Sequence, residues 1–413
     1  MVRYKSTVPN LPGGITPIMG QLVIGSLRRA VFVCVEILLR IFRWLMVTYW
    51  IPSPRLNPPD TLNHSKWGTH RYIEIHGIKL HYVEKGSNSK PLMMFLHGLP
   101  DFWYSWRYQM HEFSKDYWTV ALDLPGFGRS EPPINRITYK ISNLAYIVCS
   151  LITTLGKSDC ILVGNGAGAL LGWQLVNQYP EKVSKYIMLG TPSEAVLQEL
   201  FRRDAIPLRK ILKYAFLMYA GSAPTVLARA GDYAIFDELL GANAKPQDVE
   251  AYKYTFAQPA ALEFALMAFR ENFNDFLLEQ YELRVGKPSN TPGLFLFGEQ
   301  DCFIDPEEYV ALLLSVYHPL ETRFVPRVGQ LMHQDNPKLV NKSISEFLRE
   351  RVTEPKDLDN NTPEKQILVK EFCSNCYGKA HSKSEAHHEG CATDCDGQEL
   401  KHLIHKLRVP IAS

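Results

Sequence analysis

The 413 residues carry 45 Lys and Arg against 43 Asp and Glu, a formal charge of +2, with 46% hydrophobic and 21% charged residues. This is the composition of a folded protein large enough for one elaborated domain with appendages. It excludes an acidic solvating arm and a basic block for nucleic acid, so no nucleic-acid partner is expected.

Residues 1–27, with Pro9, Pro12, Gly13, Gly14 and Pro17, read as a flexible tail. From Arg28 to Ile51 the chain is apolar and aromatic, and no small-residue cleavage pattern follows, so a retained segment is expected rather than a removed signal peptide. At helical spacing Arg29, Glu36, Arg40 and Arg43 fall on one narrow stripe, and Glu36 can pair with Arg40 at i, i+4. Trp44, Tyr49 and Trp50 suit a headgroup boundary. Residues 28–51 therefore read as a membrane-anchor helix, interfacial or spanning, the alternative being a helix packed on the folded domain. Arg3, Lys5, Arg28 and Arg29 favour a cytoplasmic N-terminus if the segment spans. Asn63, Asn341 and Asn360 begin Asn-x-Ser/Thr triplets, which leave the side of the membrane open. A membrane location is expected, with the endoplasmic reticulum as candidate compartment.

The body begins near residue 68. Arg71–His76 and Lys79–Glu84 predict an opening hairpin. Leu92–Leu96, Thr119–Leu124, Ile161–Gly164 and Tyr186–Gly190 predict buried parallel strands. Of Cys149, Cys160 and Cys302 two fall in apolar surroundings, so buried thiols are expected rather than disulfides. Cys160-Ile-Leu-Val-Gly164-Asn165-Gly166-Ala167-Gly168 reads as a strand, a sharp turn and a helix continuing through Leu170, Leu171, Trp173, Leu175 and Val176. That is the small-x-nucleophile-x-small elbow of an α/β-hydrolase, but with Gly166 in the nucleophile's place. After Pro192 about a hundred residues read as helical and strand-poor. Leu294–Phe297 and Thr322–Val325 then resume the strands. The fold class is thus α/β, an α/β-hydrolase fold: a mostly parallel eight-stranded sheet flanked by helices, with its core in residues 68–192 and 289–352 and a helical lid at 193–288. An insertion after the sixth strand is expected to cover the strand ends where ligands bind.

Residues 353–413 are polar and rich in Cys and His, and read as a disordered tail. Cys373, Cys376, Cys391 and Cys395, with His381, His387, His388 and His402 nearby, could hold zinc through four thiolates. Oxidisable thiols without metal are the alternative, and no other cofactor is expected.

Two further motifs carry a family resemblance. His97-Gly98-Leu99-Pro100, followed by Asp101-Phe-Trp-Tyr-Ser-Trp106-Arg-Tyr-Gln109, resembles the HGxP segment of epoxide hydrolases. Leu122-Asp123-Leu-Pro-Gly126-Phe-Gly128-Arg-Ser130 resembles their next strand and Gly-rich turn. The similarity runs from about Tyr72 to Arg349, and with the N-terminal segment it points to the membrane-anchored branch. The resemblance implies a chemistry of five side chains. An elbow Asp attacks an epoxide carbon to form an ester. Two lid tyrosines donate to the epoxide oxygen. A His oriented by an acid activates water. Backbone N–H groups, here of Leu99 and Ala167, hold the oxyanion. The elbow Asp falls at Gly166, the acid at Asp301 and, anchoring on Asp335-Asn336-Pro337, the His at Gln330. One lid tyrosine falls at Phe269 and the other most plausibly at Tyr214, with Tyr219 a competitor. Three of five reactive groups are then lost. A catalytically degenerate protein is expected, one that keeps an aromatic pocket around His97, Phe102, Trp103 and Trp106 for an apolar or lipid-like ligand, or that binds a protein partner. The rival expectation is a working hydrolase of epoxides or esters using displaced groups such as His333.

Overall fold

The computed structural model describes residues 36–42, 52, 54–202, 216–241, 244–278, 290–299, 312–314, 316–317 and 319–349. Tyr214, Asp301, Cys302, the tail cysteines, all of the segments 1–27 and 353–413 and most of 28–51 lie outside the described residues. Within 28–51, residues 36–42 are helical, and Glu36 and Arg40 form the expected i, i+4 pair at 3.7 Å. Among the described residues no helix is long and apolar enough to cross a membrane.

Eight strands form one sheet in the order β1-β2-β4-β3-β5-β6-β7-β8. They are β1 (Thr69–Ile75), β2 (Ile78–Lys85), β3 (Leu92–Leu96), β4 (Trp118–Leu122), β5 (Cys160–Asn165), β6 (Val183–Leu189), β7 (Gly293–Gly298) and β8 (Leu320–Val325). β1 and β2 pair antiparallel as the expected hairpin, β2 pairs antiparallel with β4, and every later pairing is parallel. The expected strands all exist, with ends displaced by up to three residues. β3, β4, β5 and β7 are buried along their whole length, which is why they read as unbroken apolar runs without alternation.

The helices are α1 (Asp60–Asn63), α2 (Arg107–Phe113), α3 (Ile141–Thr154), α4 (Ala167–Gln178), α5 (Glu194–Arg202), α6 (Ala223–Tyr233), α7 (Ile235–Leu240), α8 (Pro246–Ala257), α9 (Ala261–Leu278), α10 (Met332–Asp335) and α11 (Pro337–Arg349). α5 to α9 all belong to the connection between β6 and β7 and form a helical insertion there. α6 breaks at Gly231 and Asp232, both in the left-handed region. Cys149 and Cys160 are buried free thiols, and burial pushes the Cys149 thiol up to about 11, so neither behaves as a reactive thiolate at neutral pH.

A strap of residues 54–64 fastens the start of the body. Leu62 is buried and its carbonyl accepts from His70 Nε2 at 2.9 Å. Thr61 Oγ1 meets Tyr104 Oη at 2.5 Å. Behind the strap, His70 Nδ1 lies 2.8 Å from His81 Nε2, and His81 Nδ1 donates to Asp123 Oδ2 at 2.7 Å. Burial drives the His70 imidazole down to about 4, aided by the charge of Arg129.

Candidate functional site

β5 ends at Asn165 and α4 starts at Ala167, so Gly166 alone makes the turn, with φ +57° and ψ −122°. That conformation is strained for any residue bearing a Cβ and free for glycine. The flanking glycines fix the register. A Cβ on Gly168 would lie 2.1 Å from the Leu96 carbonyl oxygen, and one on Gly164 would lie 2.5 Å from the Gly168 oxygen. At Gly166 the nearest atom to a new Cβ is Gly98 Cα at 3.2 Å, followed by Leu99 N at 4.0 Å. The two outer positions therefore refuse a side chain and the middle one nearly accepts it. The elbow centres on Gly166 and not on Asn165, whose side chain is buried and donates to the Gln330 and Leu189 carbonyls at 3.0 and 3.4 Å.

The HGxP turn closes over this elbow from β3, with Leu99–Pro100 as a cis peptide. The Leu124 N–H donates to His97 Nε2 at 3.0 Å, so the ring proton resides on Nδ1 and is donated to the Gly98 carbonyl at 2.8 Å. Holding that carbonyl sets the plane of the 98–99 peptide, whose N–H points the opposite way. His97 is fully buried, so it positions the Leu99 N–H instead of lining a pocket as expected. The Ala167 N–H opens α4, where the helix dipole favours negative charge.

The loop after β8 reaches the same place. Gln330 is half-buried and its carbonyl is the acceptor for Asn165, the residue preceding the turn. Residue 330, far away in sequence, is thus joined by one hydrogen bond to the residue that precedes Gly166. His333 is not presented to the elbow. It is fully buried on α10 and stacked on Trp106, ring centroids 4.3 Å apart at 28°, and neither ring nitrogen has a hydrogen-bond partner. Burial, then the charge of Arg107, drives its imidazole down to about 3. A histidine so enclosed is a neutral core ring.

Two of the aromatic residues expected in a pocket wall are likewise core. Trp106 is fully buried between Phe95 (5.2 Å) and His333, and Trp103 is 2% exposed with its ring edge-on to His70 at 5.2 Å. Phe102 points the other way, into the insertion, against Tyr252 at 5.1 Å and Phe256 at 6.4 Å. Phe269 is half-buried on α9 and Tyr219 is 73% exposed, so Tyr219 is placed as a surface residue.

Sequence reasoning missed a polar network that fastens the insertion to the HGxP segment. Tyr252 on α8 donates to Asp101 Oδ1 at 2.6 Å and accepts from Gln334 Nε2 at 2.8 Å. Arg107, almost wholly buried, donates to Asp248 Oδ2 (2.9 Å), Gln334 Oε1 (2.8 Å) and the Tyr104 carbonyl (3.0 Å), and Tyr104 Oη donates to Asp248 Oδ1 at 2.7 Å. Burial pushes the Asp101 carboxyl above the usual carboxylate range, against the pull of its hydrogen bonds from Tyr252 and the Phe102 N–H. The one legible signal was the i, i+4 spacing of Asp248 and Tyr252, which puts both on one helix face. Among the described residues no cluster of three His, Cys, Asp or Glu could hold a metal.

Comparison with known proteins agrees with this geometry. A family profile for the alpha/beta hydrolase fold matches residues 91–312. Epoxide hydrolase 4 of Homo sapiens is 34% identical over 315 residues, covering 73% of this chain and 85% of that protein. Epoxide hydrolase 3 of Xenopus tropicalis is 33% identical over 321 residues, covering 75% of this chain and 83% of its own. The crystal structure of Bacillus megaterium epoxide hydrolase in complex with an inhibitor matches with a TM-score of 0.56 at 27% identity, over 68% of this chain and all of that one. With the elbow, the HGxP turn and the sheet order in agreement, the chain belongs to the α/β-hydrolase fold family, among its epoxide hydrolases.

Proposed function

We propose that this epoxide hydrolase-like protein binds an apolar, lipid-like ligand at a membrane without turning it over. The observation that carries the reading is the composition of the elbow. Its sharp turn is kept, but the residue at its apex is Gly166, which has no atom to attack an epoxide, and the neighbouring loop offers Gln330, whose amide has no basic lone pair. Phe269 lacks the hydroxyl that a lid tyrosine would donate. Losing a nucleophile or a base costs about 10⁶ in turnover, and the ~10³–10⁴ that oxyanion groups and binding retain still requires an outside nucleophile.

What remains is suited to binding. The Leu99 and Ala167 N–H groups can receive a carbonyl or carboxylate oxygen of a ligand head. Phe102 and the aromatic side chains of α8 give an apolar boundary beneath the insertion, which we read as a lid. The apolar segment 28–51 would hold the body at the bilayer from which such a ligand comes. A working hydrolase using His333 is the less supported reading, because that ring is enclosed by Trp106 and has no exposed atom to offer to water.

The test is an assay of the full chain with an epoxy-fatty acid and an aryl ester, beside displacement of a fluorescent fatty acid. Displacement without turnover is expected. Turnover that vanishes in His333→Gln would overturn the reading in favour of the active one.

A further inference from the structure

The strap fastens the start of the body to the helical insertion within a few residues of the apolar segment 28–51. Arg55 lies four residues beyond Ile51, and its side chain is 9% exposed. Its Nη1 and Nη2 grip the two oxygens of Asp232 at 2.8 and 2.7 Å, while Nε donates to Glu250 at 2.7 Å. The guanidinium also lies 5.6 Å from the centre of the Tyr233 ring. The two carboxylates come from the break in α6 and from α8, so one cation clamps two helices of the insertion. Four residues of extended chain span at most ~14 Å. Covalent reach alone keeps the end of segment 28–51 within that distance of Arg55.

Exposed apolar side chains occur on the strap and on the insertion, and also on the body at Tyr72, Ile134, Ile137 and Tyr146. In the helical stretch 36–42, Ile37, Leu38, Leu39, Ile41 and Phe42 are 39–65% exposed. On the strap Leu56 is 85% exposed, and on the insertion Leu227 and Ile235, flanking Asp232 in sequence, are 41% and 43% exposed. The opposite pole of the sheet, where β3 and β5 begin, is closed by the polar turns around Asn88 and Ser158, both exposed. A short tether and apolar residues around its clamp suit a lipid surface.

We infer that the insertion faces a bilayer, with Leu56, Leu227 and Ile235 against lipid, so that the mouth of the site opens toward the membrane and not toward bulk water. This rests on the anchoring role proposed for residues 28–51. It is tested with the full chain in phosphatidylcholine vesicles containing an alkyne-bearing phosphatidylcholine, with the photo-crosslinker p-benzoylphenylalanine placed singly at Leu227, Ile235, Asn88 or Ser158. Light-dependent lipid adducts are expected at 227 and 235 and lost at 88 and 158. Vesicle-bound chain with equal adducts at both poles would overturn the orientation while leaving the anchor intact. Protein–protein adducts replacing lipid adducts at 227 and 235 would assign this surface to a second copy or another protein and overturn it too. Chain that fails to float with the vesicles would overturn the anchor and the orientation together.

Discussion

Restoring the apex of the elbow gives the sharpest test of how the site is read. Gly166→Asp puts a carboxylate where an epoxide carbon would be attacked. The substitution meets two resistances: φ of +57°, which costs on the order of 1–3 kcal/mol for a residue with a Cβ, and a 3.2 Å approach to Gly98 Cα, which a shift of a few tenths of an ångström relieves. The variant should fold with reduced stability. Its chemistry should stop halfway. The carboxylate oxygen bonds to the epoxide carbon, the C–O bond breaks, and the alkoxide takes a proton from solvent. The resulting ester then persists, because Gln330 cannot deprotonate the water that would cleave it. A missing base costs about 10⁶, so steady turnover should be undetectable. Intact-mass spectrometry should show one added epoxide mass, mapped to residue 166. Adding Gln330→His should release the ester and give turnover, and adding Phe269→Tyr should raise it by a further ~10²–10³. Robust steady turnover in Gly166→Asp alone would refute the place given to Gln330. A folded triple variant that forms no adduct would refute the place given to Gly166.

The fold makes three further predictions. His333 is neutral in the folded state to about pH 3, whereas the unfolded chain protonates it below 6.5; the unfolded state thus binds more protons across that window, and stability falls as pH falls through it. The loss is about 2 kcal/mol by pH 5, read from urea midpoints, and His333→Phe should flatten this acid limb. Asp248→Ala leaves Arg107 buried without its counter-charge and should cost about 3–5 kcal/mol in chemical denaturation, whereas Glu112→Ala, which removes an exposed partner of Lys115, should cost under about 1 kcal/mol. Gly168→Ala drives a Cβ to 2.1 Å from a backbone oxygen that cannot move away, and soluble expression should be lost; full-level soluble protein would refute the close approach of α4 to β3.

The sheet was legible because its central strands are buried along their whole length and so read as short, mostly apolar runs. The elbow was legible for the same reason: the glycines at 164 and 168 are steric necessities, so they announce the turn whatever stands between them. The insertion network was not legible. Asp101, Arg107, Asp248, Tyr252 and Gln334 come from three stretches of chain, and only their meeting in space turns ordinary polar residues into a buried, hydrogen-bonded joint. The aromatic run Phe102, Trp103 and Trp106 misled for a related reason. Its 3₁₀ turn sends successive rings in different directions, so Trp103 meets His70 and Trp106 meets His333 while Phe102 alone faces the insertion.

Strain at the apex of such an elbow is commonly taken as a sign of chemistry, and this chain separates the two. Gly166 holds the strained angles although it carries no reactive atom. The angles follow from the packing on either side: α4 must start where Gly168 touches Leu96 and His97, β5 must end where Asn165 ties down the Gln330 loop, and one residue is left to connect them. Replacing the apex residue by glycine relieves a cost the scaffold would otherwise bear and leaves the turn, the Leu99 N–H and the start of α4 in place. For this fold, activity has to be judged from the atoms at residues 166 and 330, since the turn between Asn165 and Ala167 forms without a side chain at its apex.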